Sequence, residues 1–486
     1  MPNIGSILSS ARSAISAHQV AMQTITQNIA NAETPGYSRQ RAELVPANPQ
    51  RFPMYTVGTG VAVADVARLR NQFLDVSYRR EAGRSEAYNV RTDLLGEIES
   101  LLNEPSETGL ASTMDRFWSS WDDLANNPTN PTAQGVVRLR GEQVAYTLNG
   151  YDERLTELSN RTRAHLTGII TEVNTLGSQV ATLNRQITAA EAGGQQSPDL
   201  RDTRDRIADQ LSKLAGVQVQ MQANGTMSVH FGSMMLVDAA NARTLEVRNG
   251  TTTTIGYVGD PDPLHGIGGQ AGEMMSFLNT DAPALRARLD SFARGLVNGV
   301  NEYHASGWTA AGDALGGSNW NTALGPTGSR INFFDAAGTS AATIRISAEV
   351  AADASVIAAG DVQNAPGNNT LALAMGALRD DVGMAALQTR MGASFGTLIG
   401  FGAAESFADH YTSTVTGLGV KASDAKSQYT VFETLTAQAD NRRSSENGVS
   451  LDEELTLMLR HQQAYTAATR LVSVADEMAQ SILNMV

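Results

Sequence analysis

The residues that could support catalysis or metal binding are few and scattered along the chain. Seven histidines occur at positions 18, 165, 230, 265, 304, 410 and 461. None of them lies in an HExxH motif or in another recognised metal-binding spacing. We therefore interpret His18 and His461 as packing or edge residues of helices. The sequence predicts no catalytic residue and no metal site.

A glycine-rich string at 266–271, Gly-Ile-Gly-Gly-Gln-Ala, matches the GxGxxA variant of the dinucleotide-binding fingerprint. That fingerprint works only between a strand and a helix of a βαβ unit, where the pyrophosphate meets the helix N-terminus. The preceding segment at 260–263, Asp-Pro-Asp-Pro, cannot form the required strand. We interpret the string as a glycine-rich entry into a helix, and we predict no cofactor.

Charged residues cluster in one short segment, Arg201, Asp202, Arg204, Asp205 and Arg206. Neighbours three or four residues apart on a helix can pair, so the pattern predicts a solvated helix face with local ion pairs.

Composition excludes several classes of function. The 486 residues carry a formal charge of −14, which argues against non-specific nucleic-acid binding. There is no cysteine, so disulfides and thiolate chemistry are absent. No apolar run reaches the length of a membrane-spanning helix, and the N-terminus does not resemble a secretory signal. If the protein is exported, we expect a route that does not read such a signal.

The two ends of the chain carry apolar residues at heptad spacing, which predicts narrow stripes that pack against other helices. The N-terminal stripe comprises Ile4, Leu8, Ala11, Ile15, His18, Met22, Ile25, Ile29 and Ala32. The C-terminal stripe comprises Leu451, Met458, Tyr465, Val472, Ala479 and Val486, with a second row of Ala468, Ala475 and Ile482. We expect the termini to pair with each other and with neighbouring subunits.

Between the ends, the pattern changes from helical to extended and back. Residues 37–70 read as short strands or a wrapping loop, and helices are predicted over 71–103, 132–192 and 199–214. From Gly216, short alternating runs separated by Asn224-Gly225 and Asn249-Gly250 predict antiparallel hairpins.

The second half of the chain continues this alternation. A helix is predicted at about 271–305, followed by irregular glycine- and asparagine-rich chain. Further strands are predicted at Ile331–Phe334 and Thr343–Ile346, and a helical pattern resumes near Thr370 with a break at Asn447-Gly448.

This order predicts a multidomain α+β protein with nested helical domains and a β-rich inserted outer domain. Residues 1–33 and 449–486 would form a coiled-coil-like inner domain with paired terminal helices. Residues 34–214 and 368–448 would form a helical bundle, and 215–367 the β-rich insertion.

Specific strings then resemble a known family. Residues 28–37 resemble the N-terminal signature of bacterial flagellar axial proteins, and the residues that carry it are Asn28, Ala30, Asn31, Thr34, Pro35, Gly36 and Tyr37. Ser38-Arg39-Gln40 resembles the version found in the hook-associated protein 1 family, and Asn301, His304 and Gly307 match that family's Asn-x-x-His-x-x-Gly element. Segments 448–454, 462–465 and 474–478 resemble its C-terminal helix.

The resemblance implies a non-enzymatic, extracellular subunit of the flagellum at the hook–filament junction. It implies a homo-oligomeric ring between hook protein and hook-associated protein 3, type III export from the cytoplasm, and an export chaperone on the C-terminal helix. From the composition and motifs above, we expect no nucleic acid, no membrane span and no cofactor. We expect the terminal seams to carry subunit packing through Ile4, Leu8, Ala11, Ile15, Met22, Ile25, Ile29, Leu451, Leu455, Met458, Tyr465, Val472, Ala475, Ala479 and Ile482.

Two alternatives remain open at this point. The first is a hook or distal rod protein of the same superfamily. The second is a hydrolase within the β-rich region, for which Asp238, Asp260, Asp262 and His265 are loose candidates without recognisable spacing.

Overall fold

The computed structural model describes residues 4–51, 56–308, 331–362, 365, 367–401 and 405–483. Most of the irregular chain predicted after residue 308 lies outside these ranges. The same is true of two residues of the C-terminal stripe, Val486 and the side chain of Ile482.

The chain begins with helix α1 (Ile4–Ala30), and a turn follows at Gly36, whose φ of +80° favours glycine. Strands β1 (Gln40–Pro46) and β4 (Val61–Arg68) pair antiparallel. Two short strands, β2 (Gln50–Arg51) and β3 (Thr56–Val57), pair within the connection between them. The extended segment predicted over 37–70 is thus a hairpin, called here the N-terminal hairpin.

Four helices follow: α2 (Gln72–Leu102), α3 (Leu110–Asn126), α4 (Pro131–Ala190) and α5 (Pro198–Ala215). Asn71 caps α2 by accepting a hydrogen bond from the Phe73 N–H at 3.0 Å. Asn130 caps α4 in the same way, and Pro131 occupies the first position, where its missing N–H is not needed. Helix α4 has 60 residues and, as predicted, is by far the longest element of the bundle.

The predicted hairpins are present after α5. Strands β5 (Gln218–Met221), β6 (Met227–Phe231), β7 (Met234–Asp238) and β8 (Asn241–Ala242) form a four-stranded antiparallel sheet in sequential order. Strands β9 (Leu245–Asn249) and β10 (Thr253–Tyr257) form a separate hairpin. Both sheets pack on the C-terminal half of α4, where Asn184 donates to the Met227 carbonyl at 2.8 Å and Asn174 donates to the Leu245 carbonyl at 2.9 Å.

The helix predicted at about 271–305 consists of α6 (Gly269–Ser276), a π-helical turn (Phe277–Asp281) and α7 (Ala282–His304). It packs against α2, α4 and α5, although the sequence placed it within the β-rich insertion. Arg286 on α7 pairs with Asp152 on α4 at 2.8 Å. The boundaries of the insertion stay a prediction, but this helix contributes its apolar residues to the bundle.

The strands predicted at Ile331–Phe334 and Thr343–Ile346 are absent, and a single bridge between Phe334 and Ile346 stands in their place. Phe333 and Phe334 are both fully buried, which the alternating faces of a strand on one core do not produce. The Phe333 ring lies 5.4 Å from the Trp121 ring of α3, so the apolar run reflects burial in a helical core.

Four short helices lead back to the bundle: α8 (Ala348–Ala352), α9 (Thr370–Ala377), α10 (Asp381–Met391) and α11 (Phe395–Ile399). The helical pattern predicted from Thr370 is therefore interrupted more often than at Asn447-Gly448 alone. Helices α12 (Phe407–Asn447) and α13 (Leu451–Leu483) complete the chain, and the predicted break separates them. Helix α12 runs antiparallel to α2, with Phe432 stacked on Tyr88 and Arg443 over Tyr78.

One connected hydrophobic core runs through the bundle and the sheets that pack on it. Among the described residues, the buried apolar side chains of α1 and α13 lie outside that core. The described helices include none that is long and apolar enough to cross a membrane.

Candidate functional site: the paired terminal helices

Helices α1 and α13 pack antiparallel against each other. His18 lies opposite His461, and Asn28 lies opposite Glu454. Buried and half-buried residues recur along α13 at alternating spacings of four and three. They include Glu454, Met458, His461, Tyr465, Ala468, Val472, Ala475 and Ala479. This spacing is typical of the seam of a coiled coil.

A second face of α1 packs on the N-terminal hairpin. Ala17, Ala21 and Thr24 are buried there, and their small side chains permit close approach of the strands. At one end of this face, the Ser13 hydroxyl accepts a hydrogen bond from the Val61 N–H at 3.3 Å. Gly60 has a φ of +110°, and a Cβ at this position would lie 2.1 Å from the Ser13 hydroxyl. Helix α1 is therefore held between α13 and the hairpin.

Most of the predicted seam residues lie in the buried or half-buried part of this pair. Ala11, Ile25 and Ala475 are buried, and the half-buried ones are Ile4, Leu8, Ile15, Met22, Ile29, Met458, Tyr465, Val472 and Ala479. Leu451 and Leu455 are each 51% exposed in the single chain, and their role in subunit packing stays a prediction. Leu451 is the first residue of α13, and Leu455 lies one position beyond the seam residue Glu454.

Several large apolar side chains of α13 lie outside its seam with α1. Leu455, Leu459, Leu471, Val474 and Met478 are between 46% and 60% exposed. We call these five residues the outer stripe of α13. Its first two members directly follow a seam residue and its last three directly precede one, so the two groups flank the seam on opposite sides. Exposed apolar side chains of this kind are typical of a surface that another chain covers.

Asn28 is the centre of a polar junction at the base of the helix pair, and it is completely buried. Its Nδ2 donates to the Gln40 carbonyl at 2.8 Å and to the Glu454 carboxylate at 2.9 Å. Its Oδ1 accepts from the Tyr37 hydroxyl at 2.9 Å and from the Gln40 N–H at 3.0 Å. All hydrogen-bonding capacity of the amide is thus used. Burial and the nearby carboxylates raise the pKa of Tyr37, so this hydroxyl keeps its proton.

The rest of the family-like signature surrounds this asparagine. Asn31 donates to the Gln27 carbonyl at 3.0 Å and accepts from the Thr34 hydroxyl at 3.2 Å, which stabilises the turn after α1. Ala30, Thr34, Pro35 and Gly36 are exposed. The signature therefore combines one buried amide with an exposed turn.

The next residues connect the helix pair to the bundle. Arg39 binds Glu454 at 2.7 Å and Glu453 at 2.6 Å, and its N–H donates to the Asn447 carbonyl at 2.9 Å. Ser38 donates to the Asp202 carboxylate through its hydroxyl at 2.7 Å and through its N–H at 2.9 Å. Ser38 and Arg39, the two residues before β1, therefore contact α5 and α13, respectively.

Asp202, Arg204 and Asp205 of the charged segment of α5 are buried, which corrects the interpretation of this segment as a solvated face; of its five charged residues, Arg206 alone is exposed. Arg68 binds Asp202 at 2.6 Å and Asp205 at 2.9 Å, and these partners are more than 130 residues away in sequence. Burial opposes ionisation of Asp205, but Arg70, Arg68 and Arg79 together hold its pKa below the ordinary value. The carboxylate therefore stays charged and paired.

Two further contacts extend this charged network. Asp209 receives Arg79 of α2 and Arg443 of α12, each at 2.7 Å. Arg204 is fully buried and donates to Asn184 and to the Gly225 carbonyl, both at 2.9 Å. Burial lowers the pKa of Arg204 to about 10, so it remains a cation at neutral pH. Helix α5 thus ties the hairpin, α2, α4 and α12 together.

The Asn301, His304 and Gly307 element fastens the 331–360 segment to α7. Asn301 exchanges two hydrogen bonds of 2.9 Å with the backbone of Phe334. His304 contacts the Ile331 carbonyl through Nδ1 at 3.1 Å, and its Nε2 accepts from the Ala358 N–H at 3.2 Å. Burial lowers the pKa of His304 to about 4. The imidazole is therefore neutral and structural.

The loose carboxylates of the β-rich region do not form a reacting group. Asp260 pairs with Arg243 at 3.5 Å and accepts from the Asp262 N–H at 3.2 Å, while the His265 N–H points to Ser233. Among the residues that the structure describes, no group of three or more histidines and carboxylates could hold a metal ion. The paired helices α1 and α13 are therefore built for association with other helices, and the charged side chains around α5 hold the neighbouring elements in position.

The resemblance singled out Asn28, Tyr37, Ser38-Arg39-Gln40 and the segment 448–454, which contains Glu454, but sequence reasoning did not predict that they contact one another. Arg68 and Asp209 carried no local signal, because their partners come from distant parts of the chain.

Comparison with family models shows matches along most of the chain. Residues 95–319 match the helical domain of flagellar hook-associated protein FlgK. Residues 8–37 match the flagella basal body rod protein model, and residues 443–485 match the C-terminal model of the flagellar basal body rod FlgEFG proteins. The two terminal matches coincide with α1, the Asn28 junction and α13.

Curated relatives match over nearly the whole length. The chain is 29% identical to flagellar hook-associated protein 1 of Bacillus subtilis, with 98% of this chain and 97% of the relative covered. It is 24% identical to the Salmonella typhimurium protein of the same name, with 99% and 100% covered.

A solved structure, the flagellar hook junction protein FlgK from Burkholderia pseudomallei, shares the fold with a TM-score of 0.59. It is 15% identical, and the match covers 78% of this chain and all of that one. Over nearly its whole length, and through the matching helical domain, the chain is thus similar to proteins that share one name, flagellar hook-associated protein 1 (FlgK).

Proposed function

We propose that the chain is a structural, non-enzymatic subunit of the flagellum that forms the junction zone between hook and filament. The observation that carries this proposal is the outer stripe of α13. Five large apolar side chains remain about half exposed after α13 has paired with α1. A monomer that stays alone in water would gain nothing from keeping them there.

Packing between subunits explains this exposure. Burying a Leu, Val or Met side chain stabilises an association by about 1.5–3 kcal/mol, so five such residues per subunit supply a substantial driving force. In a homo-oligomeric ring, each α1–α13 pair would pack its outer stripe against a neighbouring pair. The bundle and the β-rich region, which have their own core, would project outward.

The same geometry supports the expected partners. Hook protein and hook-associated protein 3 would contact the ring from its two sides through similar terminal helices. Before export through the flagellar type III route, the outer stripe would be exposed in the cytoplasm. A chaperone that covers α13 at this stage would prevent premature association, because it would occupy the same apolar surface.

A hook or distal rod protein is the alternative, and the rod-type matches at 8–37 and 443–485 favour it at the two ends. The middle of the chain favours the junction role, because residues 95–319 match the FlgK helical domain.

The test is electron microscopy of cells that lack the gene, together with an assay of flagellin in the medium. We expect intact hooks without filaments, and flagellin shed into the medium. Absent or truncated hooks would indicate that the protein is a hook or rod subunit. Normal filaments would contradict both roles. Restoration of filaments by the wild-type gene is the control.

A further inference from the structure

His18 and His461 meet across the seam between α1 and α13. Their Nδ1 atoms lie 3.1 Å apart, and their ring centroids lie 5.3 Å apart. One Nδ1 must donate and the other must accept, so this contact requires at least one neutral imidazole. Both rings are half-buried. Two titratable side chains therefore face each other in a seam whose other residues are mainly apolar.

The two helices supply no carboxylate that would neutralise a second proton. The only charged residue of α1 is Arg12, which is exposed and almost two turns from His18. On α13, Arg460 adjoins His461, and the nearest preceding acid, Glu454, is occupied by Asn28 and Arg39. Tyr465, one turn after His461, adds a neutral phenol.

The N-terminal hairpin, which packs on the other face of α1, does not supply a neutralising carboxylate either. Arg41 and Glu43 of β1 are exposed, and Asp65 of β4 accepts the N–H groups of Val66 and Gln196. Among the described residues, the one histidine in an ion pair is His410, whose partner is Glu405.

Protonation of both rings would place two positive charges at hydrogen-bond distance. Burial lowers the pKa of His18 and of His461, and His18 and Arg460 lower the pKa of His461 further. The paired state thus binds protons less readily than the separated state. The two histidines therefore stabilise the pairing of α1 with α13 fully above the ordinary histidine pKa of about 6.5, and this stabilisation is lost as the pH falls below that value.

We propose that His18 and His461 form an acid-sensitive fastener that holds the two ends of the chain together near neutral pH and releases α13 from α1 in mild acid. Release would expose the seam of α13 in addition to its outer stripe. The bundle, which has a separate core, would stay folded. This property belongs to the single chain, so it does not depend on where the protein sits in the flagellum.

The test measures the distance between the helices in the full chain. Because the sequence contains no cysteine, spin labels can be attached at Gln19→Cys and Gln462→Cys, two exposed positions next to the histidines. Pulsed electron paramagnetic resonance at about pH 7.5 should give one short distance. At about pH 5, most of that population should be lost, and it should return on neutralisation.

The matched protein carries the same labels with His18→Gln and His461→Gln. A glutamine pair can still donate and accept but cannot charge, so its short distance should persist at about pH 5. Labels at Ser100→Cys on α2 and Thr416→Cys on α12 report whether the bundle stays folded. The same pH response in the histidine and glutamine proteins would overturn the proposal, as would the absence of a short distance at about pH 7.5.

Discussion

The side-chain amide of Asn28 donates a 2.9 Å hydrogen bond to the carboxylate of Glu454, a residue 426 positions away. Glu454 occupies a seam position of α13, so this contact sets which residues of the two terminal helices face each other. A single buried polar pair is a known means of specifying register in coiled coils. Because Asn28 also binds Tyr37 and Gln40, the same residue positions the helix pair relative to the hairpin.

Asn28→Asp should loosen this junction without unfolding the bundle. The substitution removes both donated hydrogen bonds and places a carboxylate against Glu454, which should cost about 3 kcal/mol. Hydrogen exchange of the backbone amides in α1 and α13 should become about 100-fold faster, while exchange in α4 stays unchanged.

Gln19→Glu is the matched control, because it makes the same amide-to-carboxylate change at an exposed position of α1. Its exchange should equal that of the wild type. Equal protection in the Asn28→Asp and Gln19→Glu proteins would show that the junction does not hold the helices.

Repeating patterns allowed the helices to be predicted, whereas the contacts between distant segments could not be. Heptad spacing revealed α1 and α13, and the apolar period of α4 revealed its length, because these signals are local. The burial of Asp205 as a charged group depends on arginines from β4, α2 and the segment between them. The sequence next to Asp205 does not predict these distant partners. The false strand at Ile331–Phe334 has the same cause, since an apolar run has no unique secondary structure.

Asp205→Asn should destabilise the bundle as a whole. The wild-type carboxylate receives Arg68 at 2.9 Å in a buried site. Without its charge, Arg68, Arg70 and Arg79 keep Asp202, Asp75 and Asp209 as their remaining partners, so the buried cluster gains net positive charge. Breaking such a pair from one side costs about 3–5 kcal/mol. Urea unfolding followed by far-ultraviolet circular dichroism should show this loss.

Asp123→Asn, a change at an exposed carboxylate of α3, provides the comparison. It should leave the free energy of unfolding within about 0.5 kcal/mol of the wild type. If the two variants were equally stable, the charged network of α5 would be dispensable.

His304 should make the bundle sensitive to acid. Its pKa is about 4 in the folded chain, against about 6.5 when unfolded, so the unfolded state takes up a proton first as the pH falls. The contribution to stability is complete above pH 6.5 and decreases between about 6.5 and 4. From pH 7 to pH 5, this one group should remove about 2 kcal/mol from the free energy of unfolding.

His304→Gln removes the titrating group, so its stability should fall by about 2 kcal/mol less than that of the wild type over the same interval. His165→Gln, at an exposed position of α4, should follow the wild type. Parallel pH profiles for all three proteins would mean that His304 is not buried as a neutral base.

Leu471→Asp should abolish assembly while the subunit stays folded. The Leu471 side chain belongs to the outer stripe and is 52% exposed in the single chain, so an aspartate there remains hydrated and costs the monomer little. If neighbouring subunits cover this position, the same carboxylate must be desolvated without a partner, at a cost of several kcal/mol. The purified variant should have wild-type circular dichroism, and cells that express it should make hooks without filaments. Leu471→Met keeps the apolar surface and should restore filaments. Normal filaments with Leu471→Asp would exclude the outer stripe from subunit packing.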